Sequence, residues 1–225
     1  MNRTTLVSAL VTGSALVGAG YFLSRRPRPR ALASNIIPII TPVIDLRVAE
    51  DVLEAMERIH GDEVTVVLHT LGGCVTSCVL IANALRQFPQ STAVVPYMAT
   101  SGGTLIALNA HRLQMGRSAA LSAVDPIVQG QRAKHLPEEP QDPLQALAHE
   151  YQTAITLYLR DTLTARLPGI DEKRLWDTVE VFLGEHAPHE WPICRDEVVA
   201  LGLPVVPAAR AWTEMVDAYR KRWWR

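Results

Sequence analysis

Ser101 is the residue in this chain best placed to do chemistry. It lies in Thr100-Ser101-Gly102-Gly103-Thr104, between a β-branched run and an apolar run. A serine between the end of a strand and the start of a helix presents its hydroxyl at a corner. Helix amides stand nearby, and the helix dipole favours negative charge. Gly72 and Gly73 form an earlier turn with free N–H groups and no side chains to block approach. Ser101 as nucleophile, with amides of Gly72, Gly73 or Gly102 as an oxyanion hole, would suit acyl transfer. A base is still required. The plainer uses of the same residues are a helix cap and two turns.

The elements that must position these residues follow from periodicity. Residues 63–69 (EVTVVLH) read as a short buried strand, and Leu71-Gly72-Gly73 breaks it. Residues 74–88 carry apolar side chains at helical spacing, 91–98 form a second strand, and 103–110 an apolar helix. Strand, glycine turn and helix thus occur twice in succession. Upstream, 35–41 read as a strand whose Pro38 suits an edge, and 45–60 as an amphipathic helix. Downstream, 111–115 and 119–124 read as short strands, and 129–143 as a loop. Helices follow at 144–167 and 171–182, the second capped by Asp171. A helix at 195–201 and a strand at 204–206 complete the pattern, and residues 216–225 form a basic tail with Trp223 and Trp224, suited to a membrane or a partner subunit. The alternation predicts an α/β domain with parallel pairing.

The chain has 225 residues, enough for one sizeable core, and 22 basic against 23 acidic residues leave no nucleic-acid footprint. Three cysteines (Cys74, Cys78, Cys194) make no disulfide framework, and neither they nor the histidines are grouped as metal ligands. No nucleotide fingerprint accompanies Gly72-Gly73, so no cofactor is expected. Residues 5–23 carry no charge and are long enough to cross a bilayer. Arg25, Arg26, Arg28 and Arg30 follow, which predicts a transmembrane anchor over 1–24, a basic linker over 25–34, and a domain from 35 to 225 on the cytoplasmic side.

Several islands together resemble the serine dehydrogenase proteinase family, a membrane-anchored branch of the ClpP/crotonase superfamily. They are His69-Thr70-Leu71-Gly72-Gly73, Val95-Pro96, residues 101–108 (SGGTLIAL), Met115-Gly116, Val124-Asp125-Pro126, His189-Glu190-Trp191-Pro192-Ile193 and Leu201-Gly202-Leu203. Departures are Leu71 in place of a proline, Ala99-Thr100 before the serine, Ile127-Val128 in place of a glutamine, and Gly184-Glu185 in place of Gly-Lys. The resemblance implies a ClpP/crotonase-like spiral of ββα units, a homo-oligomer, and a peptidase-like site in which Ser101 matches the family serine and Gly72-Gly73 the oxyanion glycines.

Three residues stand as candidates for the base. His189 has a suitable side chain in a matched island. Asp125 follows the strand after the serine helix, about where ClpP-like enzymes place their histidine. Lys134 would make a Ser–Lys dyad like that of signal-peptide-peptidase relatives, although its polar loop suits a solvated lysine. The expected function is a membrane-anchored serine peptidase acting on peptides or proteins. The alternatives are a catalytically silent scaffold and a crotonase-like acyl-CoA enzyme, and the placement of Ser101 argues against the latter.

Overall fold

The computed structural model describes residues 35–223. The expected anchor and linker at 1–34 lie outside the described residues. Among those described, no helix is long and apolar enough to cross a membrane.

Five parallel strands form the central sheet. They are β1 (Ile36–Ile40), β2 (Glu63–His69), β3 (Gln90–Val95), β4 (Arg112–Met115) and β9 (Val205–Pro207), adjacent in that order. The helices α1 (Leu46–Glu57), α2 (Val75–Arg86) and α3 (Gly102–Asn109) connect the first four strands. Pro38 sits in β1, the edge strand, as its lack of an N–H requires. The second strand of each expected ββα unit contracts to a single bridge. Ile44 pairs with Gly73, Thr70 with Ala99, and Met98 with Ala120. These bridges stitch successive turns together at the carboxyl ends of the strands, where parallel sheets bind ligands.

The strand period of two sorts the apolar residues onto two faces. Val64, Val66, Leu68, Ala93, Val95 and Leu113 join the main core, beneath helices that include α3. Leu105, Ile106, Ala107 and Leu108 of α3 are all buried, so this helix is enclosed by protein on every side. Val67 and Val94 face the other way. There they pack with Val216 of the carboxy-terminal helix α7 (Arg210–Trp223), with Trp212 and Met215 beside them. The Tyr97 hydroxyl adds a latch by donating to Asp217 Oδ1 at 2.9 Å. Residues 216–223 of the expected basic tail are therefore part of a longer helix whose apolar face covers the sheet.

Two other expectations change. The strand read at 119–124 shortens to β5 (Ala120–Leu121), which pairs antiparallel with β8 (Ile193–Cys194). It stops because the next amides are taken elsewhere: Ser122 N–H donates to Thr104 Oγ1 and Val124 N–H to the Phe182 carbonyl. The loop read from 129 instead begins within a hairpin, β6 (Ile127–Val128) against β7 (Gln131–Arg132). Gln129 and Gly130 both have positive φ (52° and 79°), the signature of a two-residue type I′ turn. The long helix α4 (Pro143–Arg166), α5 (Glu172–Leu183, capped by Asp171) and α6 (Arg195–Ala200) lie close to where periodicity placed them.

Candidate active site

The site begins with backbone strain. Ser101 has φ 51° and ψ −121°, one of two non-glycine residues with positive φ among those described. Such a conformation costs on the order of 1–3 kcal/mol and persists only where the surroundings enforce it. Here a buried hydroxyl relay enforces it. Ser101 N–H donates to Ser122 Oγ at 2.9 Å, and Ser122 N–H to Thr104 Oγ1 at 2.9 Å. Thr104 Oγ1 in turn donates to the Ala99 carbonyl at 2.8 Å. The relay ties both ends of the serine corner to Ser122, just after β5, and the Ser101 hydroxyl makes no capping bond.

The glycine turn lies directly against this corner. A Cβ on Gly72 would fall 2.7 Å from Ser101 Cβ and 2.8 Å from the Thr100 carbonyl oxygen, so only glycine fits. Of the three expected oxyanion donors, Gly72 N–H is already engaged, donating to Thr70 Oγ1 at 3.1 Å. The amides of Gly73 and Gly102 donate to no acceptor among the described residues. They also lie close together, since a Cβ on Gly102 would stand 3.6 Å from Gly73 N. The pair that remains available is Gly73 and Gly102.

Asp125 and His189 meet in the interior. His189 Nδ1 lies 2.9 Å from Asp125 Oδ1, and the aspartate side chain is wholly buried. An ionised carboxylate only accepts, so Nδ1 carries the proton, and in the neutral imidazole Nε2 keeps its lone pair. The other oxygen, Oδ2, accepts from Arg132 Nε at 2.5 Å. Burial pushes the Asp125 carboxyl up, but the hydrogen bonds from His189 and Arg132, together with the Arg132 charge, outweigh it and hold the group below its ordinary value. Both carboxylate oxygens are thus engaged, Oδ1 by His189 and Oδ2 by Arg132.

One short strand brings the two halves together. Ser122 follows β5, and Asp125 is three residues further on, a span of at most roughly 10 Å. The partner of β5, β8, begins four residues after His189, with Leu121 paired to Ile193. His189 thereby lies beside the segment that holds the Ser101 amide. Neither Ser101 Oγ nor His189 Nε2 has a hydrogen bond among the described residues. A cleft of about 590 Å³ opens beside His189, lined also by Arg132, Lys134, Glu185, Pro188 and Glu190.

Over residues 28–220 the chain matches the ClpP-like SDH-type serine proteinases. It belongs to that family. Among curated proteins, uncharacterized protein MJ0137 of Methanocaldococcus jannaschii is 30% identical over 173 residues, 72% of this chain and 60% of that one. A second protein of the same organism, uncharacterized protein MJ1495, is 35% identical over 101 residues, 44% of this chain and 34% of that one. The chain thus spans about three fifths of the length of the first relative and a third of the second. Among solved structures, ClpP1 from Listeria monocytogenes superposes with a TM-score of 0.55 at 15% identity, covering 80% of this chain and 95% of that one. An asparagine-to-aspartate mutant of that ClpP1 gives 0.54 at 14% identity, with the same coverage. The ClpP-like α/β fold is shared.

Against the family frame, Lys134 departs from its expected place in solvent. Its side chain is only 12% exposed, and Nζ donates to the Gly184 carbonyl at 2.5 Å with Glu185 Oε2 at 3.4 Å. Neither of these hydrogen bonds is to Ser101. Sequence reasoning missed Arg132, Ser122 and Thr104. A two-residue hairpin at Val128-Gln129-Gly130-Gln131 was the available signal for the first. Nothing in the sequence distinguished Ser122 or Thr104 from other small polar residues. His111, outside the site, has its Nδ1 within 2.9 Å of the Ser91 hydroxyl.

Proposed function

We propose that this ClpP-like proteinase is a serine peptidase in which Ser101 is the nucleophile, His189 the general base and Asp125 the orienting carboxylate. The observation that carries the reading is the buried Asp125–His189 hydrogen bond, which leaves Nε2 as the free, basic nitrogen. In the first step the Ser101 Oγ–H proton passes to His189 Nε2 as Oγ bonds to the substrate carbonyl carbon. The Gly73 and Gly102 amides hold the resulting oxyanion. The C–N bond then breaks, Nε2 returns its proton to the leaving amine, and water hydrolyses the acyl-enzyme by the same exchange. Closure of the Ser101–His189 contact accompanies substrate binding, as catalytic hydrogen bonds often tighten only in the bound complex.

The substrate is a peptide or protein, and the working form is a homo-oligomer. Residues 5–23 anchor the protein in a membrane with the domain on the cytoplasmic side, a reading supported by the uncharged run and the arginines that follow it. A full-length protein that stays in the membrane pellet after alkaline wash, while a chain lacking 1–34 does not, meets that expectation. Equal release of both contradicts it.

The second reading, a silent scaffold, is favoured by the missing Ser101–His189 hydrogen bond. Hydrolysis of a quenched-fluorescence peptide library separates the two. Turnover by the wild type that is lost in Ser101→Ala supports the peptidase, and equal signals from both proteins support the scaffold.

A further inference from the structure

Arg132 makes four hydrogen bonds from one guanidinium, all of them to the supports of the candidate base. Nε donates to Asp125 Oδ2 at 2.5 Å and Nη1 to the Ala187 carbonyl at 2.7 Å, two residues before His189. Nη2 donates to the carbonyls of Leu183 and Gly184 at 3.2 and 2.9 Å, at the carboxyl end of α5. The helix dipole favours a cation there. The side chain is 13% exposed and rises from β7, the strand of the type I′ hairpin. Gly184 has φ 64°, and a Cβ there would approach Arg132 Nη2 to 2.5 Å. A glycine therefore leaves room for the guanidinium.

We propose that Arg132 is a positioning residue for His189, fixing the Asp125 carboxylate and the 183–189 segment as one unit and setting a permanent cation against the carboxylate. The proposal rests on reading His189 as the base. Its physical logic has two parts. A buried carboxylate facing a lone imidazole draws a proton onto the pair, whereas a permanent cation on the opposite oxygen offsets that pull. The forked donors also fix the carboxylate plane and the backbone before His189, which a flexible ammonium cannot do. Asp125 bonds to His189, and the charged and titratable groups that line the cleft with it are Arg132, Lys134 and His135, with Glu185, His186 and Glu190 of its own segment. Of the cations, Arg132 alone bonds to Asp125.

The test uses the full-length protein with Arg132→Met and Arg132→Lys, and two readouts. One is the pH profile of fluorophosphonate labelling at Ser101. The other is the proton NMR titration of the His189 ring in a Ser101→Ala background, which requires no catalysis. We expect Arg132→Met to take up the pair's proton about one pH unit higher or more, with the acid limb of labelling moving alongside. Arg132→Lys keeps the charge and loses the fork, so its titration stays near that of the wild type while its plateau labelling falls. A Met variant that labels more slowly at every pH with an unmoved titration overturns the charge role. Wild-type plateau labelling in Arg132→Lys overturns the positioning role, and this arm decides if the Met variant does not fold. If the wild type labels at no pH, the peptidase reading fails, and the ring titration alone decides what Arg132 does to the pair.

Discussion

Asp125 and His189 stand 64 positions apart in the sequence, and their side chains meet at 2.9 Å in the interior. Neither residue lies within a regular element. The contact exists because β5 and β8 pair on one side of it and the hairpin bearing Arg132 closes the other. Three separate stretches of chain thus converge on one carboxylate.

The first consequence concerns acid. Asp125 is depressed below its ordinary value, so its contribution to stability is fully present above the usual carboxylate range, at about pH 4. It is lost as pH falls through the lowered value. At pH 7, Asp125→Asn leaves the largely enclosed Arg132 without its counter-charge and should cost about 3–5 kcal/mol. Urea titrations of wild type and variant from pH 7 to pH 2 should show that gap closing in acid. A gap of constant size down to pH 2 contradicts the assignment.

The relay behind Ser101 gives a second expectation. Ser122→Ala removes the acceptor of the Ser101 amide and leaves a part-buried donor unpaired. A loss of about 1–3 kcal/mol in chemical denaturation is expected, together with slower labelling of Ser101. A variant as stable as the wild type would show that the strained corner is held by other means.

Packing supplies the third. Leu108 of α3 is fully buried in the main core. Leu108→Ala should cost about 2–5 kcal/mol, measured by denaturant unfolding. A cost under about 0.5 kcal/mol would remove α3 from the centre of the fold.

Much of the architecture was legible because periodicity and burial agree. The boundaries read for β2 match the observed strand, and the glycine corners at Gly72 and Ser101 fall where strand–turn–helix punctuation put them. Burial of Leu108 was also legible, from the apolar run at 103–110, whereas the face to which Val94 turns was not. One residue of register turns Val94 to the opposite face, under α7. The site was half legible. Ser101, Asp125 and His189 belong to residue types that announce chemistry, whereas the role of Arg132 depends on a hairpin of two-residue strands. Such strands are too short for a period, and Gln129-Gly130 is a weaker turn signal than Asn-Gly. Which glycine amide was free was equally hidden, since it depends on where the Thr70 hydroxyl points.

The central claim, that Ser101 is a nucleophile activated by His189, is tested most directly by timed fluorophosphonate labelling read by intact-mass and peptide mass spectrometry. The account predicts one adduct per chain, on Ser101, absent in Ser101→Ala and formed roughly 10²–10⁴-fold more slowly in His189→Ala. Labelling at any other residue, or at Ser101 with an unchanged rate in His189→Ala, would contradict it.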